Sequence, residues 1–128
     1  MPEVILVVDD EPVVLRIVSE ILANAGYRVL RAASPEEALE IAERTTGPIR
    51  LLLSDVAMPA MSGPSLADAI ESLHPETECL FMAGLPGTPE ICDRILSRGR
   101  AFLPKPFSAR TLLDKISDVL GRAFVAMA

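Results

Sequence analysis

The chain has no Trp, one Tyr and four Phe in 128 residues, so any core it builds is aliphatic, made of Leu, Ile, Val and Ala. It has two cysteines, Cys79 and Cys92, too few and too irregularly placed for a zinc-ligand set or a disulfide framework. Both are expected to be reduced packing residues, Cys79 in a strand and Cys92 on a helix. No apolar run approaches the roughly 20 residues that cross a bilayer, so no membrane partner is expected. The Met1-Pro2-Glu3 start lacks the basic stretch of a leader peptide, and a cytoplasmic location is expected. Positive charge is also short. Twelve Lys and Arg against 18 Asp and Glu leave a net charge of −6, which argues against nucleic acid as a direct partner. Linkers, low-complexity segments and charge blocks are missing too. Residues 1–128 are therefore expected to form one domain, with a core of about 3–121.

What is present is alternation. Half of the residues are hydrophobic, and short apolar runs fall at 4–8, 28–33, 49–54, 79–83 and 101–103. Three of them are continuous rather than alternating, as in strands covered on both faces. Helix-period stripes lie between them. In the first, Val14, Ile17, Val18, Ile21, Leu22 and Ala25 share a face, with Pro12 near the start and Gly26 at the stop. The second opens on Ser34-Pro35-Glu36-Glu37, a cap, a first-turn proline and two acids suited to the helix dipole. The third spans 64–73, with Leu66, Ala69, Ile70 and Leu73 inward, and the fourth spans 89–98. The fifth follows Ser108, with Leu112, Leu113, Ile116, Val119 and Leu120 as its stripe. The predicted fold is α/β, a (βα)5 doubly wound parallel sheet of flavodoxin-like strand order 2-1-3-4-5.

In such sheets ligands bind beyond the carboxyl ends of the strands, where the winding reverses. Asp9 and Asp10 follow the first run and Asp55 follows the third. If those strands are neighbours, three carboxylates meet in one small volume. Like charges that close repel, and a hard divalent cation such as Mg²⁺ resolves the conflict. An Asp carboxylate is also a nucleophile capable of forming an acyl phosphate. Lys105, after the fifth run, can reach the same crevice and neutralise a transferred phosphoryl group. Taken singly, Asp9 or Asp10 reads equally as a helix cap, Asp55 as a loop residue and Lys105 as a surface charge. Their joint placement at the ends of strands one, three and five points to a site.

The segments Leu6-Val7-Val8-Asp9-Asp10-Glu11, Asp55-Val56-Ala57-Met58-Pro59, Gly63 and Lys105-Pro106-Phe107 resemble the response-regulator receiver family. That resemblance implies that Asp55 accepts a phosphoryl group from a histidine kinase or a histidine phosphotransfer protein. It implies that Asp10 binds Mg²⁺ directly, that Asp9 supports through water, and that the Ala57 carbonyl completes the protein's share of the metal shell. Lys105 is implied to hold the phosphoryl oxygens, with Lys105–Pro106 a cis peptide. The backbone N–H groups of Ala57 and Gly84 are candidate phosphoryl donors. A downstream protein is expected on the face formed by the fourth helical segment, the fifth strand and the fifth helical segment. The last helix resembles receivers fused to hybrid sensor kinases.

Two positions depart from the family pattern. Ala83 stands where a Ser or Thr hydroxyl is usual, and Phe102 stands at the switch aromatic, where a plain core role is equally natural. Losing one charge-assisted hydrogen bond costs about 1.5–3 kcal/mol, which weakens the link to output without abolishing phosphorylation. The alternative is a degenerate receiver, an interaction module indifferent to phosphorylation. Apolar Ala57 and Leu85, where polar side chains position an attacking water, predict slow self-dephosphorylation. The chain is not expected to be a conventional enzyme: an Asp-x-Asp phosphatase motif and a flavin phosphate loop are both missing. His74 is expected at the surface, Met58 and Met61 as flexible packing, and the 84–88 loop as a cover over the site.

Overall fold

The structure, a computed structural model, describes residues 3–56, 58, 61–83 and 100–127. The expected 89–98 helix, the 84–88 loop, Cys92, Ala57, Gly84 and Leu85 lie outside the described residues. Among the described residues nine elements follow in order: β1 (Val4–Val8), α1 (Pro12–Asn24), β2 (Arg28–Ala32), α2 (Pro35–Arg44), β3 (Leu51–Asp55), α3 (Gly63–Leu73), β4 (Glu78–Ala83), β5 (Ala101–Pro104) and α4 (Ala109–Met127). The strands form one sheet in the order β2-β1-β3-β4-β5, every neighbouring pair parallel. This is the predicted doubly wound topology, and its winding reverses between β1 and β3.

Local chemistry explains the boundaries. Pro12 opens α1 at a position where a missing N–H costs nothing. Ser34 Oγ accepts the Glu37 N–H at 3.1 Å to start α2, Ser62 Oγ accepts the Ser65 N–H at 3.2 Å to start α3, and Ser108 Oγ accepts the Thr111 N–H at 3.1 Å to start α4. Gly26, just past α1, has φ +98°, a left-handed conformation that glycine adopts without a Cβ clash. The 49–54 run is shifted: β3 is Leu51–Asp55, so Asp55 is itself the last strand residue.

Strand alternation sends successive side chains to opposite faces, and both faces are covered. Leu6, Val8, Leu52 and Phe81 pack with Ala38, Ala42, Leu66 and Ile70 of α2 and α3. Ile5, Val7, Leu51, Leu53, Leu80 and Met82 pack with Val18 and Leu22 of α1 and Leu112 and Ile116 of α4. This double cover is why the sequence shows continuous apolar runs, and each fully buried Leu or Ile contributes about 1.5–3 kcal/mol. Three residues of the expected stripes are instead open: Ile17 at 47% and Leu73 at 44% exposure, and Ala25 just past α1. A helix lying on a sheet seals only the middle line of its apolar face. In α1 that line is Val18, Ser19 and Leu22, and in α3 Ala67 is buried while Leu73 points outward.

Candidate functional site

β1 ends at Val8 and β3 at Asp55, and the two strands are hydrogen-bonded neighbours with Val8 opposite Ser54. That register brings Asp9, Asp10 and Asp55 together at the carboxyl edge. Each offers one carboxylate oxygen, and these oxygens all lie within 4.8 Å of one another. Asp9 is fully buried, the Asp55 side chain is 14% exposed, and Asp10 is exposed. Asp9 is held in place by accepting the Glu11 N–H at 2.9 Å, while its own N–H donates to the Ala32 carbonyl at 3.2 Å. It is not the side-chain cap of α1: the capping residue is Glu11, which makes no side-chain cap bond.

Lys105 reaches this cluster from β5. Its Nζ lies 3.5 Å from Asp9 Oδ2 and 3.6 Å from Asp55 Oδ2. Its backbone N–H donates to the Ala83 carbonyl at 2.7 Å, which fixes where the side chain starts, and the Lys105–Pro106 bond is cis. Three carboxylates thus share one ammonium within 4 Å for two of them. At an effective dielectric constant of about 20, each like-charged pair at this spacing costs about 3–4 kcal/mol. The residues fit a hard divalent cation: an exposed acid to take the ion and a buried acid behind it.

Two further residues shape the site. Ser54 Oγ donates to the Asp55 carbonyl at 2.9 Å. Gly63 starts α3 directly against β3. Its N–H donates to the Val56 carbonyl at 2.8 Å, and a Cβ there would lie 2.6 Å from the Asp55 carbonyl oxygen. Gly63 stands in the sequence motif, but its role as a close-approach position shows only once β3 and α3 are in place. Ala83 is buried, and Phe102 is half-buried against the same apolar cluster as Ala83 and Phe81. His74 corrects the expectation of a surface residue. It is 8% exposed, its Nε2 faces the Ala42 carbonyl at 2.8 Å, and its Nδ1 faces Glu76 Oε2 at 3.1 Å. These partners come from α2 and the α3–β4 turn, contacts invisible in the sequence. The group sits far from the acid cluster, at the other edge of the sheet.

The response regulator receiver domain model matches residues 5–117. The sensor kinase CckA of Brucella abortus is 35% identical over 116 residues, covering 91% of this chain and 12% of that protein. The response regulator receiver protein CpdR of Brucella abortus is 30% identical, covering 91% of this chain and 95% of that protein. The crystal structure of a CheY-like receiver domain protein from Methanospirillum hungatei superposes with a TM-score of 0.89 at 30% identity, over 98% of this chain and 99% of that one. The chain therefore spans a small part of some relatives and nearly all of others. With the acid pair, the single aspartate and the lysine on one edge of a 2-1-3-4-5 sheet, the chain belongs to the response regulator receiver domain family of two-component signalling.

Proposed function

We propose that the chain forms a single receiver domain in which Asp55 accepts a phosphoryl group in a Mg²⁺-dependent reaction. The observation that carries this reading is the meeting of three carboxylate oxygens within 4.8 Å, with the Lys105 ammonium 3.6 Å from Asp55. An Asp55 Oδ attacks the phosphorus of a phosphohistidine on a kinase or phosphotransfer protein. The P–O bond forms as the P–N bond breaks, and the imidazole leaves with the electron pair. Lys105 moves its charge onto a phosphoryl oxygen. Asp10 and Asp55 would hold Mg²⁺, with Asp9 behind them and the Ala57 carbonyl proposed as a further ligand. The ion, when bound, neutralises negative charge on carboxylates and phosphoryl oxygens together. The backbone N–H groups of Ala57 and Gly84 are proposed as further donors to the phosphoryl group.

The phosphoryl charge then biases a two-state equilibrium read by a downstream protein on the β5–α4 side of the domain. Phe102 on β5 is proposed as the element that reports it. Among the described residues, no helix is long and apolar enough to cross a membrane; a cytoplasmic location remains part of the proposal. Incubation with acetyl phosphate and Mg²⁺, followed by intact mass measurement, should show the gain of one phosphoryl group. The adduct should vanish in Asp55→Asn and without Mg²⁺; an adduct retained by Asp55→Asn overturns the assignment. Partner affinity with and without beryllofluoride tests the switch. Equal affinities would instead support the phosphorylation-independent module that Ala83 raises.

A further inference from the structure

The opposite, amino-terminal edge of the sheet carries a second feature. A groove of about 690 Å³ is lined by Val4, Leu30, Arg28, Arg44, Arg50 and the 45–48 loop, with Glu3 at its margin. Arg28 on β2 is the register partner of Val4, and the Arg50 N–H donates to the Val4 carbonyl at 2.9 Å from the β3 side. The two arginines therefore flank Val4 in one row across the sheet, on the face that α2 covers. Arg44, the last residue of α2, closes the third side.

These guanidiniums are scarcely used within the fold. Arg28 has no side-chain hydrogen bond or ion pair among the described residues. Among the described residues, Arg44 donates only from Nε, to the Glu40 carbonyl at 3.3 Å. Arg50 Nη2 lies 4.0 Å from Glu3 Oε1, the outer limit of an ion pair, with both side chains partly exposed. Three positive charges thus share one acid among the groove's lining residues, in a chain whose net charge is −6. A guanidinium's fork of donors matches phosphate oxygens. Val4 and Leu30 add an apolar floor on which the rest of a ligand can lie, and the volume is that of a small-molecule site.

We propose that this groove binds a small phosphate monoester of the mononucleotide class, its phosphate among Arg28, Arg44 and Arg50 and its flat ring over Val4 and Leu30. Polynucleotide binding does not follow, because the arginines rim one short groove and the rest of the molecule is acidic. The site is separate from Asp55.

The test is calorimetric titration of the full chain with adenosine 5′-monophosphate, with inorganic phosphate and adenosine as separate arms, at low and high salt. The monophosphate should bind most tightly, and salt should weaken it. Arg28→Gln and Arg44→Gln should each lower affinity about 10-fold. Both residues are exposed, so the thermal midpoint should not move. Asp55→Asn should bind as the wild type does, so failure at this groove and failure of the phosphoacceptor reading are read separately. No heat with the monophosphate, or equal affinity in the Arg28→Gln, Arg44→Gln double variant, overturns the site. Binding of inorganic phosphate as tight as the monophosphate overturns the mononucleotide assignment.

Discussion

Replacing Gly63 by Ala tests whether the seam between α3 and β3 sets the geometry of Asp55. The added Cβ would sit 2.6 Å from the Asp55 carbonyl oxygen, 3.0 Å from a ring carbon of Phe81 and 3.1 Å from the Val56 Cα. The shortest of these contacts is to backbone, which no side-chain rotation relieves. Ordinary contact near 3.4 Å requires about 0.8 Å of relief, the difference between that spacing and 2.6 Å. Overpacking of this kind costs about 2 kcal/mol, which lowers Tm by roughly 6–10 °C for a chain of this size. The relief must come from α3 leaving β3 or from the β3 terminus shifting, and the second moves Asp55 relative to Asp9. Misplacement approaching 1 Å at a reacting group costs on the order of 10–100-fold in rate. Thermal denaturation and the rate of acetyl phosphate labelling read the two consequences separately. Gly121→Ala is the control. Nothing lies within 4 Å of a Cβ there, and Gly121 is inside α4, so that variant should gain about 0.5–1 kcal/mol. If Gly63→Ala matches the wild type in Tm and labelling rate, the close approach does not position the site.

Removing Lys105 by Ala leaves the buried Asp9 beside Asp55 with that ammonium gone, costing about 3 kcal/mol, and Mg²⁺ should raise Tm more in the variant than in the wild type; equal Mg²⁺ increments would contradict this charge accounting. Partial burial pushes the Glu76 carboxyl up, but hydrogen bonds from its own backbone N–H, from the Ile49 N–H and from His74 outweigh it and hold it below its ordinary value of 4.5. A lowered folded value means the stabilisation is complete above the unfolded value and fades as pH falls through the folded one. The gap in urea midpoint between wild type and Glu76→Gln should therefore narrow as pH falls below the ordinary value of 4.5 and vanish once it passes the folded one, and a constant gap refutes the linkage. Burial pushes the Cys79 thiol up to about 12, so in a Cys92→Ser background Ellman's reagent should label it only as fast as the protein unfolds. Rapid labelling in native buffer would contradict the burial.

Legibility in the sequence followed the range of the forces involved. Strand order, the acid cluster and the lysine were readable because each depends on periodicity plus one topological rule. Asp9, Asp10 and Asp55 needed only the neighbouring of β1 and β3, which the switch-point rule supplies, and Lys105 needed the end of β5 to lie on the same edge. Residues whose role depends on approach between distant elements were not readable. Gly63 matters because α3 starts within contact of a carbonyl eight residues earlier, and that distance has no local signature. His74 was misplaced for the same reason. Its partner at the Ala42 carbonyl lies 32 residues away, on a helix packed beside its own. Ile17 and Leu73 show a third limit: a stripe reports which residues could be buried, not how wide a strip the sheet covers.

Ala83 separates what builds this site from what reads it. It touches the lysine through its backbone, since its carbonyl receives the Lys105 N–H at 2.7 Å, and that bond is indifferent to the side chain. Asp9 is set by the end of β1 and Asp55 by the end of β3, again without the Ala83 side chain. The charge-gathering half of the site therefore stands complete with a methyl group at this position. The absent hydroxyl removes one donor toward a phosphoryl oxygen, about 1.5–3 kcal/mol, while the Lys105 ammonium remains. Phe102 is the register partner of Phe81, two residues before Ala83, and it packs on the same apolar cluster. The methyl and the ring thus already share an apolar environment, where a hydroxyl would bring its own desolvation cost. On the function proposed above, a methyl group at Ala83 would bear on the coupling from Asp55 to Phe102, and would leave the gathering of a cation and a phosphoryl group to residues of β1, β3 and β5.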